Sequence, residues 1–86
     1  MSQENIKVKV KLFAIYQETY QKEEITIDLL PESKAGDVLN KILADNPHLE
    51  NWRNITKMAV NLEFVNPDFL LRSGDEVALI PPVSGG

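Results

Sequence analysis

Cysteine is absent from all 86 residues. Its absence excludes disulfide stapling and thiolate metal sites, and removes the side chain that usually serves as a sulfur nucleophile. Any sulfur chemistry must run through another group. A long apolar run is missing as well, so nothing in the sequence spans a bilayer. The polar opening Met1-Ser2-Gln3-Glu4-Asn5 is not a secretory leader, and the expected location is cytoplasmic. Clustered positive charge is also lacking. Lys and Arg number 9 against 13 Asp and Glu, the net charge is -4, and the basic residues are scattered. A nucleic-acid or anionic-membrane surface needs a concentrated positive field. The expected partners are therefore neutral or basic proteins, with neither nucleic acid nor membrane. Repeats and low-complexity tracts are missing too, and the length allows a single small domain.

What is present alternates. Ile6, Val8, Val10 and Leu12 interleave with Lys7, Lys9 and Lys11, a period-two pattern that predicts a strand with one buried and one wet face. Ile25, Ile27 and Leu29 alternate with Thr26 and Asp28 in a second strand, and the intervening Phe13 to Lys22 has room for a helical turn around Ala14 to Glu18. Pro31-Glu32-Ser33 breaks the second strand. Val38, Leu39, Ile42 and Leu43 then repeat at helical spacing, with Ser33 as the expected N-cap and Asn46-Pro47 as the stop. Gly36 predicts a frayed first turn. His48 to Ile55 reads as an irregular connection. Met58, Val60 and Leu62 suggest a third strand, or Asn61-Leu62 is a turn into a short strand at Glu63-Val65. Asn66-Pro67-Asp68 and Ser73-Gly74-Asp75 are turns, and Glu76 to Ile80 is the last strand. The order β-β-α-β-β-β predicts an α+β domain of the ubiquitin-like β-grasp type, a mixed sheet of four to five strands on one main helix.

The chain changes character after Ile80. Pro81 and Pro82 lack N–H donors and cannot extend a sheet ladder, so residues 1–80 read as the folded body and 81–86 as a flexible, extended tail. Six residues reach about 20 Å, enough to enter a deep site. Gly85 and Gly86 have no Cβ, fit a narrow channel and leave the terminal carboxylate unshielded. With a reference pKa of about 3.3–3.7, that carboxylate is ionised at neutral pH and can attack the α-phosphate of ATP. A sulfur donor that displaces the nucleotide from the acyl-adenylate leaves a thiocarboxylate, which suits a chain without cysteine.

Over essentially its whole length the sequence resembles the small subunits of molybdopterin synthase, sulfur carriers of the ubiquitin-like superfamily. Ile6-Lys7-Val8 through Leu12-Phe13-Ala14 resembles their first strand and Ala59-Val60-Asn61 their central segment. Gly74-Asp75-Glu76-Val77-Ala78, followed by Pro81-Pro82-Val83-Ser84-Gly85-Gly86, resembles their last strand and tail. The Pro-Pro-Val-Ser-Gly-Gly ending is the most specific element, because thiamine-pathway carriers usually lack the double proline. The resemblance implies adenylation of Gly86 by an ATP-using adenylyltransferase related to ubiquitin activators, then conversion to a thiocarboxylate. It further implies insertion of the tail into the molybdopterin synthase large subunit and sulfur transfer to cyclic pyranopterin monophosphate within a heterotetramer. The catalytic groups then lie mainly on the large subunit. The resemblance thus implies a sulfur-donor subunit that is expected to need no bound cofactor or metal and no general acid or base of its own. The competing readings are a carrier for thiamine synthesis or tRNA thiolation, a ubiquitin-like protein modifier, and an interaction module with an inert tail.

Strand parity supplies a partner surface. Phe13, at or just past the first strand, falls on the wet side with the lysines, and Ile80 falls opposite Val77 and Leu79. The first and last strands of a β-grasp sheet are neighbours, so Phe13 and Ile80 are expected in one patch at the tail's base, joined by Phe64, a matching family position on the adjacent hairpin. The sequence departs from the family at Leu79 and Ile80, where aromatic positions are aliphatic.

Other conspicuous residues carry less. His48 stands alone, without the several ligands a metal needs. Trp52 is expected to anchor the post-helix loop. Glu23-Glu24 and Asp75-Glu76 are neighbours in strands or turns, so their carboxylates diverge rather than converge for acid–base work. Lys41 is a solubilising charge on the helix's wet side.

Overall fold

A computed structural model describes residues 4–82. The sequence-based expectations for Val83, Ser84, Gly85 and Gly86 lie outside the described residues. Five strands form one mixed sheet: β1 (Ile6–Leu12), β2 (Glu24–Leu29), β3 (Lys57–Val60), β4 (Glu63–Val65) and β5 (Glu76–Ile80), in the spatial order β2-β1-β5-β3-β4. β1 and β5 run parallel at the centre, and the other neighbours are antiparallel. This is the β-grasp arrangement, as the element order predicts.

The alternation in β1 sorts its side chains as expected. Val8, Val10 and Leu12 are buried with Val77 and Leu79 of β5 and Met58 and Val60 of β3, whereas Lys7 and Lys9 are exposed. The main helix, α2 (Ala35–Asp45), lays Val38, Leu39, Ile42 and Leu43 against that layer, and Leu49, Leu71 and Tyr16 close its margins.

The start of α2 departs from expectation. Ser33 is not the N-cap: its Oγ donates to the Leu30 carbonyl at 2.7 Å, and the cap is Lys34. The early helical N–H groups need no serine, because Ala35 and Gly36 donate to the carbonyls of Phe69 and Pro67 at 2.8 and 2.9 Å. The Asp37 carboxylate in turn accepts the Lys34 N–H at 2.8 Å. The first turn is therefore pinned rather than frayed. Glycine suits this close approach, since a Cβ on Gly36 would lie 3.1 Å from the Pro67 Cβ and 3.2 Å from its carbonyl oxygen.

Two further connections are more regular than they read. The short helix α1 covers Ile15–Tyr20, one residue later than the expected turn, and buries Tyr16. The stretch expected to be irregular is a 3₁₀ helix over Pro47–Ile55; Leu49 anchors it, and Trp52 packs partly buried against the core as expected. Isolated apolar residues in a polar segment carry no strong period, which is why sequence reading missed it. Asn61-Leu62 is the turn of a tight hairpin, not a continuation of β3. Both residues have positive φ, 50° and 74°, which suits the right-handed twist of a two-residue connection. The Asn61 side chain accepts the Glu76 N–H at 3.1 Å and donates to Asp75 at 3.0 Å.

Candidate functional site: the open sheet face and the exit of the last strand

Helices cover one face of the sheet, and the other is open. The register divides that open face. On the β1–β2 half, Lys7 pairs with Asp28 at 3.4 Å, and Lys11 and Lys9 both reach Glu24, at 3.1 and 3.7 Å. The Lys11 ammonium holds the Glu24 carboxyl below the ordinary carboxylate range, and Glu24 raises Lys11 in return. These groups are solvent-exposed ion pairs without the geometry of an acid–base site.

On the β5–β3–β4 half, apolar residues lie between Glu76 at one end and Lys57 at the other. Lys11 of β1 aligns with Ala78, Ala78 with Ala59, and Ala59 with Phe64, so a single row crosses the sheet from lysine through two alanines to an aromatic ring. Phe64 is 71% exposed. In the next row Ile80, half-buried, pairs with Lys57. The β1–β5 register pairs Leu12 with Leu79; carried one residue further, it sets Phe13 beside Ile80. Phe13 lies just past β1 and is 46% exposed. The register thus sets Ile80 and Phe64 on one face around Ala78 and Ala59, with the exposed Phe13 just beyond the end of β1. Short alanine side chains leave the Phe64 ring and the isoleucine standing proud.

The tail base is at the edge of this patch. β5 ends at Ile80, Pro81 is buried, and Pro82 is exposed, so the chain leaves the body between the two prolines. Behind the exit lies a feature that sequence reading missed. The fully buried Tyr16 meets Thr56 Oγ1 at 2.6 Å, and Thr56 donates its hydroxyl proton to the Trp52 carbonyl at 2.7 Å. Thr56 has a single proton, so Tyr16 must be the donor. Burial pushes the phenol above its ordinary pKa of 10.0, which keeps it protonated. This chain of bonds braces the residue before Lys57, the partner of Ile80. Its two hydroxyls are 40 residues apart, and no local pattern links them.

The residues set aside behave as surface groups. His48 and Lys41 are exposed, and Glu23 lies just before β2 while Glu24 serves the lysines. Asp75 is a brace rather than a free carboxylate: it accepts from Asn61 and from the Arg72 N–H at 2.8 Å. Among the described residues no cluster of His, Asp and Glu could hold a metal, and no helix is long and apolar enough to cross a membrane.

An open face with exposed apolar residues therefore lies beside the end of a central strand. Family comparison gives the same frame: the ThiS family model matches residues 10–86. The chain belongs to the ThiS family. A molybdopterin synthase sulfur carrier subunit from Dictyostelium discoideum is 38% identical over 81 residues, covering 91% of this chain and 94% of that protein. Among solved structures, Haloferax volcanii small archaeal modifier protein 1 superposes with a TM-score of 0.77 at 26% identity, covering 91% of this chain and 99% of the other. A complex of subunits 1 and 2 of the molybdopterin-converting factor from Helicobacter pylori contains a chain that matches with a TM-score of 0.61 at 27% identity, over 94% of this chain and all of that one.

Proposed function

We propose that this chain is the sulfur carrier subunit of a molybdopterin synthase, with residues 1–80 as its body and 81–86 as its working tail. The observation that carries the reading is the apolar patch of Phe13, Ile80 and Phe64 at the point where β5 releases the tail. Its support from kinship is the match to a protein named molybdopterin synthase sulfur carrier subunit and the solved two-subunit complex. In this reading the patch seats the body on the large subunit, and Pro81, Pro82, Val83, Ser84 and Gly85 thread Gly86 toward the acceptor.

The chemistry is acyl activation. An ATP-using adenylyltransferase binds the body, and a Gly86 carboxylate oxygen attacks the α-phosphate, expelling pyrophosphate. A sulfur nucleophile then displaces AMP from the acyl carbon and leaves a thiocarboxylate. Its sulfur passes to cyclic pyranopterin monophosphate on the large subunit, and water restores the carboxylate. The chain contributes position and a sulfur leaving group, while acid–base catalysis belongs to the partner. Reconstitution tests this: thiocarboxylated chain, large subunit and cyclic pyranopterin monophosphate should yield molybdopterin. The reading fails if the loaded carrier binds the large subunit and no product forms.

A second reading, attachment of Gly86 to target lysines, is favoured by the superposition on a protein named as a modifier. Lysine-linked adducts of this chain in cells, released by cleavage after Gly86, would decide for it.

A further inference from the structure

The outer edge of β4 is a second surface, distinct from the open face. Asn61 donates its N–H to Glu76 on β5 at 2.8 Å, and Ala59 also registers with β5. Backbone groups alternate sides along a strand, so Met58 and Val60 are the residues of β3 that bond toward β4. Their partners Val65 and Glu63 bond inward, which turns the N–H and C=O of Phe64 outward. Neither group has a partner among the described residues. A donor and an acceptor on one residue of an edge strand form the unit to which a further antiparallel strand pairs.

Phe64 also lines a shallow, open depression together with Glu63, Val65, Asn66, Asp68 and Phe69. Two aromatic residues and two carboxylates line it, and no basic residue does. Phe64 is 71% and Phe69 43% exposed. Glu63 and Asp68 make no ion pair among the described residues. Natural sheet edges are usually blunted with lysine or proline, or covered; β4 instead offers a short acidic, aromatic slot.

We infer that the β4 edge accepts an extended segment of a protein partner that carries an apolar residue flanked by arginine or lysine. The residue opposite Phe64 points to the open face and packs on its ring. Its neighbours point to the other face, where Glu63 and Asp68 supply the countercharge and Phe69 a π-surface for the cation. The surface is continuous with the open-face patch through Phe64, whose ring serves one and whose backbone serves the other. The inference does not depend on sulfur loading.

The test uses the full chain and end-blocked heptapeptides, Ser-Thr-Arg-Val-Arg-Thr-Ser, its counterpart with Glu for Arg, and the Arg peptide N-methylated at Val. Amide exchange and chemical shifts are read by NMR at millimolar peptide. The Arg peptide should slow exchange of the Phe64 amide about tenfold or more, and the other two should not. The exposed double variant Glu63→Gln, Asp68→Asn should weaken the Arg peptide roughly 2- to 30-fold, the range of two surface ion pairs. The inference is overturned if the Arg peptide leaves the Phe64 amide unprotected or the Glu peptide protects it equally. Protection that rises with protein concentration alone would also overturn it, since the edge would then pair with a second copy.

Discussion

Truncation of the exposed aromatic residues Phe64 and Phe13 separates docking from folding. Full burial of a phenylalanine contributes roughly 1.5–3 kcal/mol. Phe64 is 71% exposed in the isolated chain, which leaves about 1–2 kcal/mol for a partner to gain by covering it. Phe13 is 46% exposed, which leaves about 0.7–1.4 kcal/mol. Phe64→Ala should therefore weaken binding to the large subunit about 6- to 35-fold and Phe13→Ala about 3- to 10-fold. The order reverses for stability. Phe13 has more of its ring already packed against the body, so its truncation should lower the urea midpoint more than that of Phe64. Calorimetric titration against the large subunit and urea unfolding of the isolated variants give the two scales. The reasoning is refuted if both variants bind like the parent, or if Phe64→Ala loses affinity only in proportion to lost stability.

Three other outcomes follow from the fold. Leu62 holds a φ of 74° and is 90% exposed, so Leu62→Gly relieves left-handed strain without losing packing. It should raise Tm by about 2–8 °C, the equivalent of about 0.5–1 kcal/mol; a lower Tm would contradict this. Tyr16→Phe removes the donor to Thr56 and should cost about 0.5–1.5 kcal/mol in urea unfolding, with no loss expected if the hydroxyl pair carries nothing. Glu24 has its folded pKa depressed by Lys11, so its contribution is present above the ordinary value of 4.5 and fades as pH falls through the lowered folded value. Glu24→Gln should therefore be less stable than the parent at neutral pH and match it in strong acid; a gap that widens on acidification would refute the pairing.

The sequence made legible whatever rests on short periods. The lysine comb of β1 and the Val38 to Leu43 stripe each announce their element and its buried face, whereas β5 announces only a strand, because Ala78 and Ile80 are as apolar as Val77 and Leu79. Strand parity still separates Ile80 from the buried Val77 and Leu79. What escaped depends on contacts distant along the chain. Ser33 looks like a cap only until Phe69 and Pro67 supply carbonyls to the first turn of α2, and Gly36 looks weak only until Pro67 is seen against it. The Tyr16–Thr56–Trp52 brace and the outward turn of Phe64's backbone are equally invisible, because both depend on which strands become neighbours.

The central claim is that Gly86 carries sulfur. Intact-mass spectrometry of the chain, purified from cells that lack the large subunit and therefore cannot discharge it, measures this most directly. The account expects a species heavier by the exchange of one oxygen for sulfur, localised to the C-terminal peptide and lost on deletion of Gly86. A chain bearing only the ordinary carboxylate under those conditions, with the activating enzyme, ATP and a sulfur source all present, would contradict it.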